Sequence, residues 1–301
     1  MREADHTRRV VITGLGIVSP IGNNIASAWS SLTEMKSGLG RITHWDPTAY
    51  APYVVAGEIR GFEASAWLDP KSVRRTGPEI HWGVAAAKQA LSHAGLEITD
   101  ANREEVGVVF GSGAGGQGLF IENQMAWKEK GPRSVAPTFI AHGLVDSCSG
   151  MIAIETGAVG HNLAVVSACA TGTHALGEAA EAIKRGDVTA VIAGSTENPL
   201  IEVAHIGFMN MRGLGAPRDG EDLASASRPF DTDRAGFVLG EGAGAFIVED
   251  LEAMSQHIER NGGRFHRELK GGGGVDFERK FRDPNGVVFD ISHKGWVGAK
   301  A

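Results

Sequence analysis

At 301 residues, with 42% hydrophobic and 22% charged content, the chain has enough apolar surface for one or two packed domains, and its composition is neither disordered nor fibrous. The net charge of -7 argues against a general nucleic-acid surface. Two cysteines exclude a disulfide framework or a Cys-based zinc site and fit a reducing cytoplasm, and no apolar run nears the roughly 18 residues of a membrane span.

Residues 1–8 read as a loose, untargeted tail. Val10 to Thr13 predicts a buried strand, with Gly14, Gly16 and Gly22 punctuating a loop after it. The Gly-Leu-Gly pair lacks the third glycine and the acidic residue of a dinucleotide loop. Ile25 to Leu32 predicts a helix and Trp45 to Glu63 an irregular excursion. In Leu68-Asp69-Pro70-Lys71-Ser72-Val73-Arg74-Arg75, the cations Lys71, Arg74 and Arg75 fall on one helical turn; such a run is ordinarily a solvated face. Trp82 to Ala94 predicts an amphipathic helix ended by Gly95, and Val106 to Phe110 a strand. Gly111, Gly113 and Gly116 then stand in G-x-G-x-x-G spacing before a helix start at Gln117. No strand ending in Asp or Glu follows about 20 residues on, so a nicotinamide site is not expected. Ala136 to Gly150 is rich in small residues and carries His142 and Cys148, the latter expected to serve packing; Met151 to Thr156 reads as helix. Val188 to Ala193 is another buried strand, running into Gly194-Ser195-Thr196-Glu197, and Phe208 follows in a loop with Met209 and Met211. Gly242 to Val248 completes five apolar strands interleaved with helices, the pattern of an α/β layered domain.

One stretch stands apart, Val165-Val166-Ser167-Ala168-Cys169-Ala170-Thr171-Gly172-Thr173. Leu163 to Val166 predicts a buried strand, while Ala175 to Ala182 predicts a helix with Lys184-Arg185 in its last turn and Gly186 as its stop. Cys169 therefore sits at a strand-to-helix turn, where unpaired N–H groups and the positive end of the macrodipole attract an anionic sulfur. Small neighbours leave room for a thioester, and the logic parallels the elbow that presents a nucleophilic serine in hydrolases. A lone Cys in such a turn is also compatible with plain burial.

Read together with three further stretches, Cys169 becomes the candidate nucleophile. Arg9-Val10-Val11-Ile12-Thr13-Gly14-Leu15-Gly16-Ile17-Val18-Ser19-Pro20-Ile21-Gly22 opens the chain. Gly111-Ser112-Gly113-Ala114-Gly115-Gly116 follows, and Arg228-Pro229-Phe230-Asp231 leads through Arg234 and Gly236-Phe237-Val238 to Gly240-Glu241-Gly242-Ala243-Gly244. In this order the motifs resemble the β-ketoacyl-acyl carrier protein synthases of the elongating type II, over about residues 8–250. The resemblance implies the N-terminal half of a thiolase-like α/β fold, a mixed sheet with helices on both faces. It further implies acyl transfer from carrier protein to the Cys169 sulfur, and decarboxylative condensation with malonyl-carrier protein in fatty acid synthesis. It places the carrier-protein dock at Lys71, Arg74 and Arg75 and the acyl pocket at Phe208, and it implies a homodimer with no nucleic acid, membrane or cofactor.

The family's condensation step uses two histidines, one in a His-Gly-Thr motif and one in a Gly-His motif near Ala-Ala-Gly. Neither motif occurs among these residues: His142 and His161 precede Cys169, and His257, His266 and His293 follow it without the motif. The 301 residues are therefore expected to be acylated at most and not to condense. From Phe246 onward the pattern changes. Phe246 to Asp250 reads as a strand and Leu251 to Arg260 as a helix stopped by Asn261-Gly262-Gly263. Arg264 to Leu269, Val275 to Arg282 and Val287 to Ser292 read as strands, the last two joined by the turn Asp283-Pro284-Asn285-Gly286. This small α+β tail resembles the closing βαβββ module of a glyoxalase-type metalloprotein. The metal carboxylate of that family would fall on Asp290, and with so few ligands no metal is expected. The division is 1–248 and 249–301, with the tail's first strand overlapping 246–250. The alternatives are a non-catalytic fragment that binds acyl groups or carrier protein, and a chimeric product that folds poorly.

Overall fold

The computed structural model describes residues 8–260, 262–270, 277–282 and 288–292. In chain order the elements are β1 (Val10–Val18), α1 (Ile25–Thr33), β2 (Leu39–Arg41), β3 (Val55–Gly57), α2 (Pro70–Arg75), α3 (Pro78–Ala94), β4 (Val106–Gly111), α4 (Gln117–Lys130), α5 (Phe139–Gly143) and α6 (Ser147–Thr156). There follow β5 (Asn162–Leu163), α7 (Thr171–Arg185), β6 (Ala190–Glu197), α8 (Glu202–Asn210), β7 (Gly242–Asp250), α9 (Leu251–Arg260), β8 (Arg264–Lys270), β9 (Phe277–Arg282) and β10 (Val288–Ser292).

The main sheet has five strands in the order β1-β7-β6-β4-β5. Strands β4, β5 and β6 run parallel to one another, whereas β7 is antiparallel to both β6 and β1. Alternation along the strands decides which helix covers which face. Val106, Val108 and Phe110 of β4, with Ile192 of β6 and Ile247 of β7, pack with Ala86 and Ala90 of α3 and Ile152 of α6. The intervening Val109, Val191, Ala193 and Val248 pack with Ala175, Ala179, Ala182 and Ile183 of α7. A sheet covered on both faces needs apolar residues at successive positions, which is why β4 is buried throughout. The expected mixed sheet with helices on both faces is what forms.

The predicted helix stops hold, since Gly95 and Gly186 both take the left-handed conformation that ends α3 and α7. Helix α3 starts earlier than predicted, at Pro78, and is buried along much of its length. Strand β1 corrects the sequence reading. Gly14 and Gly16 lie inside the strand, paired with Ile247 and Ala245, and not in a loop after it. A Cβ on Gly16 would come within 1.9 Å of the Ala86 carbonyl oxygen, so the glycines let α3 lie directly on the strand. A second correction concerns Leu163 to Val166. Strand β5 has two residues, stands last in the sheet order and leaves Leu163 and Val166 exposed, because only β4 pairs with it. An apolar, β-branched run reads the same whether the position lies inside a sheet or at its edge. The excursion after Trp45 contains β3, which pairs antiparallel with β2.

Beyond β7, Leu251 at the start of α9 is buried, and its N–H donates to the Arg9 carbonyl at 3.0 Å. Strands β8, β9 and β10 form a separate antiparallel sheet in the order β10-β9-β8. Strand β7, the expected first strand of a βαβββ module, is instead an inner strand of the main sheet. Residues 1–7, the turn at 283–286, His293, and the side chains of His257, His266 and Asp290 lie outside the described residues. No helix among the described residues is long and apolar enough to cross a membrane.

Candidate active site

Parallel strands converge their carboxyl ends on one edge of the sheet, where ligand crevices form in α/β folds. Here that edge borders a cavity of about 930 Å³. It is lined by Gly113 and Ala114 after β4, Ala168 and Cys169 after β5, and Ser195, Thr196 and Glu197 at the end of β6. Apolar side chains dominate its far wall, among them Phe120 and Ile121 of α4, Val203 and Phe208 of α8, and Phe237.

Cys169 is exposed. It lies in a short 3₁₀ turn, Ala168–Ala170, that runs directly into the fifteen-residue α7. Ala168 adopts φ 52°, a left-handed conformation unusual for a residue with a side chain. Thr171 fastens the turn: its Oγ1 accepts from the Ser167 N–H at 3.0 Å and donates to the Ala168 carbonyl at 2.7 Å. Ser167 Oγ in turn lies 2.6 Å from His174 Nδ1. Cys148 is buried beside Glu79, and burial pushes its thiol well above the ordinary range, so the two cysteines are chemically distinct.

Phe208 shares the cavity with Cys169, but the loop expected for it is the helix α8. The Gly207 between Phe208 and Ile206 hides a helical period that packing restores; the Phe208 ring meets Phe237 edge to face at 5.4 Å. Lys71, Arg74 and Arg75 are exposed on α2, where the Asp69 carboxylate caps the helix by accepting from the Lys71 and Ser72 N–H groups. None of the three lines the cavity. Neither His142 nor His161 lines it; one ring nitrogen of each is buried without a hydrogen-bond partner.

The G-x-G-x-x-G loop is held by protein groups. The Gly113 N–H donates to Glu197 Oε2 at 2.6 Å, Ser112 Oγ donates to Glu197 Oε1 at 3.1 Å, and Ser112 Oγ accepts from the Gly115 N–H at 2.8 Å. Burial raises the Glu197 carboxyl above its usual range, against these hydrogen bonds. Beneath it, Glu79 is buried with Oε1 unpartnered, and burial, reinforced by Glu197 and Glu122, pushes it up to about 7. On another wall Glu241 is buried, accepting from the Ile59 N–H at 2.7 Å and lying 2.8 Å from His44 Nε2. The bond to Glu241 raises the His44 pKa against the opposing effect of burial. The sequence reading missed these carboxylates as a group. Their one visible signal was an acidic residue among small ones, in Gly194-Ser195-Thr196-Glu197 and Gly240-Glu241-Gly242.

A thiolase-like α/β layer with an accessible cysteine at a helix start, facing a largely apolar cavity, defines the class. Comparison with known proteins supplies the family. The β-ketoacyl synthase N-terminal domain matches residues 7–253. A 3-oxoacyl-[acyl-carrier-protein] synthase 2 from Coxiella burnetii is 40% identical over 266 residues, which are 88% of this chain and 63% of that protein. The Vibrio harveyi protein of the same name is 40% identical over the same share of this chain and 62% of its own length. Among solved structures, the ishigamide ketosynthase/chain length factor superposes with a TM-score of 0.73 at 27% identity, covering 83% of this chain and 60% of its own. A β-ketoacyl synthase from Burkholderia phymatum gives 0.72 at 26% identity, covering 83% and 61%. The chain belongs to the β-ketoacyl synthase family. It spans less than two thirds of the length of the curated relatives it matches.

Proposed function

We propose that Cys169 is an acyl-accepting nucleophile of fatty acid synthesis, acting in the cytoplasm on thioesters of acyl carrier protein. The observation that carries this reading is the exposed thiol at the start of α7, on the wall of a largely apolar cavity. In the transfer, the Cys169 sulfur attacks the thioester carbonyl carbon, a new carbon–sulfur bond forms, and the carrier's sulfur leaves and takes up a proton. The Cys169 N–H is one donor to the oxyanion. Phe208 borders the acyl chain, and Lys71, Arg74 and Arg75 dock the acidic carrier. The family's full reaction continues by decarboxylative condensation with malonyl-carrier protein, in a homodimer. We assign only the acyl-transfer half to these 301 residues, because the cavity wall offers a thiol, hydroxyls and carboxylates but no histidine pair among its described lining.

The test is intact mass after incubation with an acyl-carrier thioester. The parent is expected to gain one acyl group and Cys169→Ala none, and a K71E/R74E/R75E variant is expected to slow the gain. No gain in a folded parent refutes acyl transfer, and β-ketoacyl product from the isolated chain refutes the restriction to one half. A second reading, a binder of carrier protein without chemistry, is favoured by the separation of the α2 cations from the cavity. Carrier binding that survives in Cys169→Ala, with no acylation of the parent, selects it. For residues 249–301 we propose a glyoxalase-like origin, joined to a condensing-enzyme domain at 1–248. It is supported by the order of helix and three antiparallel strands in α9, β8, β9 and β10.

A further inference from the structure

Two carboxyl groups, one buried and one half-buried, stand behind the nucleophile turn without a cation. Glu79 on α3 is 5% exposed, and its Oε1 has no hydrogen-bond partner. Glu197, at the end of β6, is half-buried. Neither forms an ion pair among the described residues; the other titratable groups facing Glu79 are Glu122 from α4 and Cys148 from α6. Burial of Glu79 and repulsion from Glu197 disfavour charge on both carboxyls at once. The donors decide which one keeps its charge. Glu197 receives the Gly113 N–H and the Ser112 hydroxyl, whereas Glu79 has only its own backbone N–H and its Oε1 receives nothing. The proton therefore resides on Glu79.

This arrangement reaches the sulfur through the backbone. Glu197 and Ser112 wind residues 112–116 into the loop that backs the nucleophile turn. A Cβ on Gly113 would sit 2.8 Å from Glu197 Oε2 and 3.4 Å from the Ala168 Cα, so Gly113 is wedged between the carboxylate and the residue before Cys169. Glu79 Oε1 lies under the far end of the same loop, 3.2 Å from the position a Cβ on Gly116 would take. We infer that Glu197 is a positioning residue for Cys169, and that Glu79 is its protonated support, whose ionisation beside Glu197 slackens the 112–116 loop and the turn resting on it. The inference extends the reading of Cys169 as the nucleophile. The raised pKa of Glu79 puts the release near neutral pH.

The test uses the full chain and a readout independent of carrier chemistry: the rate of Cys169 alkylation by iodoacetamide, followed by intact mass from pH 5.5 to 8.5, with Cys169→Ala as the blank. Glu79→Gln mimics the neutral acid and cannot ionise. The ratio of its rate to the parent's is expected to be close to one at pH 5.5 and to depart threefold or more by pH 8.5. Glu197→Gln, which keeps an acceptor for Gly113 but carries no charge, is expected to differ from the parent already at pH 5.5. Near-UV circular dichroism shows whether each variant folds; the Glu79→Gln comparison stands if Glu197→Gln does not. A ratio for Glu79→Gln that is flat across the range overturns the inference, as does binding of a mono- or divalent metal ion at Glu79 that removes the pH step. Acylation of the parent, measured on the same samples, separates the two claims. A pH-dependent ratio without acylation retains the positioning role and refutes the transfer reading, and acylation with a flat ratio does the reverse.

Discussion

Replacing Glu79 with Gln is expected to stabilise the protein, and by an amount that depends on pH. In the unfolded chain this carboxyl titrates near 4.5, whereas burial raises it in the folded protein to about 7. Below pH 4.5 both states hold the proton and the group favours neither. Between pH 4.5 and 7 the unfolded state releases a proton that the folded state keeps, so stability falls as pH rises, at about 1.4 kcal/mol per pH unit. Across that interval the loss accumulates to about 3 kcal/mol, a sizeable share of the 5–15 kcal/mol typical of a domain. Solvent screening does not discount it, because Glu79 is 5% exposed. Glu79→Gln has no proton to release. Carboxyls held below their usual range, such as Asp69, act in the opposite direction, but they are common to both proteins and cancel in the difference. The assay is urea unfolding of parent and variant at pH 5, 6, 7 and 8. The stability difference is expected to be small at pH 5 and to reach about 3 kcal/mol in favour of Glu79→Gln at pH 8. A difference independent of pH refutes the argument.

Glycines that look alike in the sequence are expected to respond oppositely. Gly16→Ala drives a Cβ to 1.9 Å from the Ala86 carbonyl oxygen, which forces α3 off β1 and costs about 3 kcal/mol or more. Gly177→Ala, inside α7 with nothing within 4 Å of the added carbon, gains roughly 0.5–1 kcal/mol; thermal unfolding of the two variants checks both signs. A disulfide reagent is expected to titrate one thiol in the native protein and two in denaturant, since Cys169 is exposed and Cys148 buried, with Cys169→Ala leaving none in the native state. The His44 pKa is raised, chiefly by its hydrogen bond to Glu241. Its contribution is therefore complete below pH 6.5 and fades as pH rises through the higher folded value. The melting temperature of His44→Phe is expected to fall short of the parent's by more at pH 6 than at pH 9.

Local pattern carried much of the architecture. Runs such as Val106 to Phe110 and Ala190 to Ala193 carry no polar side chain because helices cover both faces of the sheet, and that demand is written residue by residue. Helix stops at Gly95 and Gly186 were legible for a similarly local reason, the left-handed conformation that glycine takes at least cost. The turn carrying Cys169 was legible from the helix that follows it, whose alanine-rich pattern marks its start, whereas the run before it was not the buried strand its β-branched residues suggested. The packed chain alone decided what depends on partners distant in sequence. Gly14 and Gly16 became strand residues because α3 lies on them, β5 became a short exposed edge because only one neighbour pairs with it, and Phe208 joined a helix whose register its glycine obscured. The convergence of Glu79 and Glu197 belongs to the same class. A carboxylate's neighbours in space determine whether it is charged, and α3 and β6 meet only once the sheet has assembled around them.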